Sequence, residues 1–261
     1  MPLEFYPHKS NEIFKGDSSV IIDEDKLVEF VSRTLMAQYT HVKEIISTER
    51  SDQEHRRFPI AKKDVANSVI KKVLHTKSKF HRDGLLFQHI SWISMVMRKN
   101  QNDLFKAPHC RPADKGQDCI IVHISSSSGK ISGISVCEDK ATIHCRNVIT
   151  NQVFPEFNEY DSGDRDAELE SEVLAILKQN PSIGDANEII EKIFWSNIRR
   201  YRINITVKNE EPSKLFKGYD DCIKGGLNRR TADTTVIQNM REWFDSFSRK
   251  LESYILSLIE D

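Results

Sequence analysis

Two short apolar runs on either side of a serine-rich break constrain the fold of this chain more than any other feature. Cys119-Ile120-Ile121-Val122-His123-Ile124 and Ile131-Ser132-Gly133-Ile134-Ser135-Val136-Cys137 both read as β-strands, and Ser125-Ser126-Ser127-Ser128-Gly129-Lys130 reads as the turn of a hairpin joining them. The serine run lacks the Gly-x-x-x-x-Gly-Lys-Ser/Thr arrangement of a phosphate loop, so a flexible turn is the expectation. Gly116-Gln117-Asp118 opens the first run and Glu138-Asp139-Lys140 ends the second. Adjacent strands bring Asp118 and Glu138 close in space. Lys140, two residues beyond Glu138, points to the same side of its strand, and Asp139 points away. Before the hairpin, residues 83–97 are strongly apolar, too long for one strand and too short and polar for a membrane span, so a buried helix is predicted.

Two carboxylates and one amine at a sheet edge are the parts of metal-dependent phosphodiester chemistry. Carboxylates hold a hard divalent cation, which polarises phosphate and acidifies a bound water. An ammonium positions that water or stabilises developing negative charge. The bland alternative is an exposed hairpin edge with solvated charges. Glu24-Asp25-Lys26 repeats the same tripeptide and serves as an internal control. It leads into an apolar-periodic stretch (Leu27, Phe30, Val31, Leu35), so there the charges read as the exposed first turn of a helix.

The order helix, strand, strand ending in acid-x-lysine, then a helix over Asp166–Leu177, resembles the PD-(D/E)xK nuclease superfamily. The resemblance implies an α/β (α+β) fold, a restriction-endonuclease-like αβββαβ core with additional N- and C-terminal helices. Gly84-Leu85-Leu86-Phe87, Gly116-x-Asp118 and Glu138-Asp139-Lys140 together resemble the HamA family, the nuclease subunit of the Hachiman anti-phage system, over most of the chain. That implies a deoxyribonuclease in which Asp118 and Glu138 bind Mg²⁺ (or Mn²⁺) and Lys140 orients the attacking water or stabilises the pentavalent phosphate. It also implies DNA as substrate and a superfamily 2 DNA helicase subunit (HamB) as heterodimer partner, which restrains the nuclease until aberrant or phage DNA is met. Many superfamily members carry Glu on the first core helix. Here the nearest candidate is Gln88, whose amide hydrogen-bonds but brings no charge.

The 261 residues are 38% hydrophobic and 30% charged, which fits a water-soluble globular protein with a modest core. Five cysteines without framework spacing and no leader-like N-terminus suggest the cytoplasm, with no membrane. A net charge of −1 argues against strong autonomous DNA binding or for a patchy surface. Among the basic clusters, Arg199-Arg200-Tyr201-Arg202 is the DNA-binding candidate, through Arg199, Arg200 and Arg202. His109-Cys110, Cys137 and His144-Cys145 lack zinc spacing.

Three segments are expected: a mostly helical N-terminal lobe (1–78), the core (79–208) and a C-terminal segment (209–261). Residues 1–23 read as extended or irregular, 27–46 and 64–74 as helices, 47–60 and 100–115 as loops, and 146–165 as a polar, acid-rich loop. Helices are expected at about 166–178 and 185–198, broken at 180–184, then a strand at 202–207. A long amphipathic helix closes the chain at about 235–259, suited to core packing or to a partner's groove. The rival to an enzyme is a non-catalytic adaptor, a nuclease fold kept for binding DNA or a helicase, with Gln88 and the near-neutral charge as its support. A restriction enzyme acting alone would need a base-reading element, and the sequence presents none.

Overall fold

The structure, a computed structural model, describes residues 1–9, 11–48, 62–98, 100, 102–112, 116–180, 183–191 and 195–260. A single mixed sheet runs through it. In chain order its strands are β1 (Leu3–Pro7), β2 (Asp17–Ile21), β3 (Leu104–Phe105), β4 (Cys119–Ile124), β5 (Ile131–Lys140), β6 (Arg199–Val207) and β7 (Arg230–Val236). In space the order is β1-β2-β7-β6-β5-β4-β3. The predicted hairpin is β4–β5, closed by Ser125 N donating to Lys130 O at 2.9 Å, with Cys119 opposite Cys137 and Ile120 opposite Val136. β3 adds antiparallel to β4, whereas β5, β6, β7 and β2 run parallel and β1 returns antiparallel at the edge. Parallel neighbours need crossovers, which the helices supply.

On one face lie α1 (Glu24–Leu35), α2 (Tyr39–Thr48), α3 (Lys63–Val69) and α4 (Lys79–Arg98). The other face carries α5 (Cys145–Val148), α6 (Phe154–Ser162), α7 (Asp166–Lys178) and α8 (Ala186–Glu191). The short α9 (Trp195–Ile198) leads into β6. α10 (Pro212–Leu215) and α11 (Tyr219–Cys222) follow β6. α12 (Met240–Glu260) returns to the first face. Strand alternation sorts the two cores. Cys119, Ile121 and Cys137 face α4, while Ile120, Val122, Ile134 and Val136 face α6 and α7.

Several sequence expectations are corrected. The helix over 27–46 is two helices, because Ala37 takes the left-handed conformation (φ 62°) between α1 and α2. The acid-rich stretch 146–165 is helical up to Ser162. Ile149, Val153, Phe154, Phe157 and Tyr160 fall on one buried stripe that its exposed acids obscure in the sequence. β7 forms in a polar stretch that no apolar alternation marks as a strand. Its Asp233, Thr234 and Thr235 are buried because other polar groups satisfy them, including Arg98, Arg202, Asn204 and Ser19. β6 begins at Arg199, three residues before the expected strand, and α12 begins at Met240. The apolar stripe of α12 (Phe244, Phe247, Leu251, Ile255) is buried in the first core, against α1 among others. Residues 49–60, 181–182 and 192–194, within the expected loop, break and helix, lie outside the described residues. The three expected segments share the one sheet: 1–78 supplies β1 and β2, 79–208 supplies β3 to β6, and 209–261 supplies β7. Among the described residues no helix is long and apolar enough to cross a membrane.

Candidate active site

Asp118 stands one residue before β4, one step beyond the Cys119–Cys137 pair, which sets it beside Glu138 near the end of β5. Alternation directs Asp118, Glu138 and Lys140 to the same side of their strands. Lys140 Nζ donates to Glu138 Oε2 at 2.5 Å. The backbone N–H of Asp139 donates to Asp118 Oδ2 at 2.7 Å, which locks the aspartate to the neighbouring strand. Gln88, reaching in from α4, donates through Nε2 to Asp118 Oδ1. The other amide atom, Gln88 Oε1, is buried with no hydrogen-bond partner among the described residues. The four residues singled out in the sequence, Gln88, Asp118, Glu138 and Lys140, are therefore brought together.

Both carboxyls are buried, Asp118 at 8% and Glu138 at 2% exposure. Burial pushes Asp118 up to about 7, against the opposing pull of the Lys140 ammonium. Burial, then the charge of Asp118, pushes Glu138 up to about 8. Burial works against the Lys140 ammonium, yet Glu138 and Asp118 more than offset it and raise its pKa. One cation thus faces two crowded acids, and the strand end is short of positive charge.

The sequence reading missed Glu156 except as one acid in a run. It sits in the first turn of α6, and its charge adds to the upward shifts of Asp118, Glu138 and Lys140. Arg165 restrains it at 2.9 Å and also holds Glu168, which accepts from Gln117 Nε2 at 2.9 Å, next to Asp118. Nothing local in the sequence distinguishes Glu156 from its acidic neighbours.

Asp118 and Glu138 fit a Mg²⁺-like ion, which takes one or two carboxylates and keeps several waters. Two buried carboxyls with raised pKa values are the donor chemistry such a site needs, because a cation would supply the missing charge. Among the described residues no three His, Cys, Asp or Glu side chains form a metal-holding group. Cys137 lies fully buried in the core, on the side away from Glu138, as its odd position predicts.

Arg199, Arg200 and Arg202, the DNA-binding candidates of the sequence, lie on β6. β6 lies between β5 and β7, and its side chains are buried on both faces along most of its length. Arg202 is buried between Asp139 (3.2 Å) and Asp233 (2.8 Å). Arg199 is buried, pairing with Asp166 at 2.7 Å. Arg200 is half-buried and donates to Ser132 O at 2.8 Å. Arg199 and Arg202 are thus engaged in internal pairs, and Arg200 keeps part of its guanidinium exposed. Compared with known proteins, the chain matches no family model and no curated protein.

Proposed function

We propose that this protein is a metal-dependent deoxyribonuclease of the PD-(D/E)xK type, with Asp118, Glu138 and Lys140 as its catalytic set. The observation that carries the reading is the pair of buried carboxyls, both shifted upward, sharing a strand end with one buried-stemmed lysine. The chain order of α4, then β3, β4 and β5 as an antiparallel meander, then helices and the parallel β6, is compatible with it. Two buried carboxyls facing one ammonium leave the strand end short of positive charge, and pKa values perturbed in this way cluster at functional sites.

Asp118 and Glu138 are the residues that would hold Mg²⁺ or Mn²⁺, which when bound would supply Lewis acidity to the phosphate and lower the pKa of water. Lys140, kept charged by Glu138, donates to the attacking water or to the phosphate oxygen that gains charge. The water oxygen bonds to phosphorus and gives up one proton to solvent, the ester P–O bond breaks with its electron pair on the leaving oxygen, and that oxygen takes up a proton from solvent. Gln88 positions Asp118 through its amide N–H and keeps its Oε1 available as an acceptor for a water. The backbone N–H of Asp139 fixes the other Asp118 oxygen.

The residues of the Hachiman HamA resemblance support a finer reading. In it the protein is the effector nuclease of an anti-phage complex with a superfamily 2 helicase (HamB), acting in the cytoplasm. The weak overall basicity, net −1, fits an enzyme that is brought to DNA by a partner. A second reading, a non-catalytic adaptor, is favoured by Gln88 standing where the superfamily often carries an acid.

Purified protein incubated with plasmid DNA, in Mg²⁺ or in EDTA, separates the two. Metal-dependent nicking that is lost in Glu138→Ala/Lys140→Ala establishes the enzyme. Absence of cleavage by the wild type, with the helicase present as well as without it, establishes the adaptor.

A further inference from the structure

The opposite face of the sheet carries a second concentration of charge. A cavity of about 250 Å³ opens there, lined in part by Lys15, Arg98, His123, Ser135, Arg200 and Arg202. Ser135 and Lys140 are five residues apart on β5, which puts the cavity about 16 Å along the strand from the lysine of the candidate active site. His123, Ser135, Arg200 and Arg202 occupy positions that alternate away from Asp118, Glu138 and Lys140, so the two places do not share a face.

Its cations are not all spent on internal pairs. Asp233 accepts from Arg98 at 2.6 Å and from Arg202 at 2.8 Å, and Asp103 pairs with His123 at 3.3 Å. Arg200 and Lys15 have no carboxylate within ion-pair distance among the described residues, and Arg200 spends one N–H on Ser132 O. Arg202, only 4% exposed, keeps Nη2 buried with no hydrogen-bond partner among the described residues. Leaving a buried guanidinium N–H unpaired costs free energy, and a ligand acceptor removes that cost. The fold also prepares the position of Arg200. Its guanidinium lies flat against Gly133, where a Cβ would fall inside it. Lys15 is held at the rim by backbone bonds to β7, Lys15 N to Arg230 O at 3.1 Å and Ala232 N to Lys15 O at 2.8 Å.

We propose that this cavity binds a phosphate-type oxyanion, as inorganic phosphate or as the phosphate of a nucleotide, on Arg202, Arg200 and Lys15 of its lining. Planar guanidiniums match phosphate oxygens with paired N–H donors, and a lysine adds a point charge. The volume lies below the range that drug-sized ligands occupy, which suits a small anion or a single phosphoryl group with its sugar outside. His123 Nε2 and Ser135 Oγ, 2.7 Å apart, add further donors or acceptors on the wall. The site is independent of whether the strand-end carboxyls catalyse anything.

Calorimetric titration tests it, at constant ionic strength and in EDTA, with inorganic phosphate, with deoxyadenosine 5′-monophosphate and with deoxyadenosine. Phosphate and the monophosphate are expected to bind the wild type and the nucleoside is not. Affinity falls at least tenfold in Lys15→Gln/Arg200→Gln. It falls similarly in Gly133→Ala, which keeps every charge but displaces the Arg200 guanidinium. Glu138→Ala binds as the wild type does. A monophosphate at least tenfold tighter than phosphate identifies a nucleotide ligand, and equal affinities identify phosphate itself. The proposal is overturned if neither anion binds at millimolar concentration. Wild-type affinity in Lys15→Gln/Arg200→Gln, or loss of binding in Glu138→Ala, overturns it equally.

Discussion

The tripeptide Glu-Asp-Lys occurs twice, at 24–26 and at 138–140, and the two copies meet opposite fates. The first opens α1 behind the N-cap Asp23, whose side chain accepts from Lys26 N at 2.8 Å. There Glu24 accepts from Trp243 Nε1 at 3.0 Å and pairs with Lys250, and Lys26 pairs with Glu29 at 3.2 Å. Each charge has a nearby partner and access to water, and pairs of that kind contribute little to stability. The second copy ends β5, where alternation splits it. Asp139 goes to one side and is answered by Arg202. Glu138 and Lys140 go to the other side and meet Asp118, with more acid than base. The same three residues are a solvated helix start in one place and a strained buried cluster in the other. Period and burial, not composition, make the difference.

A comparison of this kind can be broken most sharply by deletion. Glu138→Ala/Lys140→Ala should reduce Mg²⁺-dependent plasmid cleavage by at least about a hundredfold, the scale of losing one preorganised electrostatic group. Lys26→Ala should leave the rate unchanged. Equal rates in the two variants would erase the distinction between the copies. A circular dichroism spectrum of each variant checks that folding persists.

Arg202 tests the other side of the divided tripeptide. Arg98 and Arg202 overcome the cost of burial and hold Asp233 well below the usual carboxylate range. Arg202→Leu leaves Asp139 buried without its ion-pair partner and strips one of two from Asp233. The expected loss is about 3–5 kcal/mol in urea denaturation, as for breaking other buried pairs. A loss under about 1 kcal/mol would show that these charges are satisfied in another way.

The strand-end carboxyls carry a pH dependence of definite sign. Their folded pKa values, pushed up to about 7 for Asp118 and about 8 for Glu138, lie above ordinary carboxylate values. In the absence of metal the folded state therefore holds protons that the unfolded chain releases. Their relative stabilisation is present below about pH 4 and is lost as pH rises through 7 to 8. A divalent cation must displace those protons. Mg²⁺ affinity should rise roughly tenfold per pH unit for each proton released between pH 6 and 8. Calorimetric titration at pH 6, 7 and 8 reads this directly, and a pH-independent affinity would remove Asp118 and Glu138 as the ligands. The smallest effect is expected at the first copy, where Lys26→Ala should change stability by no more than about 0.5 kcal/mol in thermal unfolding.

The hairpin, its turn and the helix before it were legible because each rests on local pattern. The apolar run ending at Met97, the serine-glycine break and the strand alternation each need only neighbours in sequence. Gln88 entered only through the superfamily resemblance, which puts an acid on the first core helix, and the structure sets its amide against Asp118. β7 was not legible, because Arg-Thr-Ala-Asp-Thr-Thr-Val has the composition of a surface connection. Its polar side chains become a buried strand only when Arg98, Arg202 and Ser19 answer them. The partners of Arg199 and Arg202 were hidden for the same reason, because Asp139, Asp166 and Asp233 come from elsewhere in the chain to meet them.

By itself the sequence determined which residues share a strand side, where the helix periods run, and that Asp118, Glu138 and Lys140 sit at one hairpin end. These are consequences of backbone geometry, which repeats every two or 3.6 residues regardless of what packs on it. Only the tertiary structure decided which of the charges are answered. Ion pairing and desolvation depend on through-space neighbours, and here those neighbours lie far apart in the chain, as with Glu24 and Lys250. The fold leaves the Asp118–Glu138 pair short of cations, encloses Arg202 with an unpaired N–H, and brings the field of Glu156 onto the strand end.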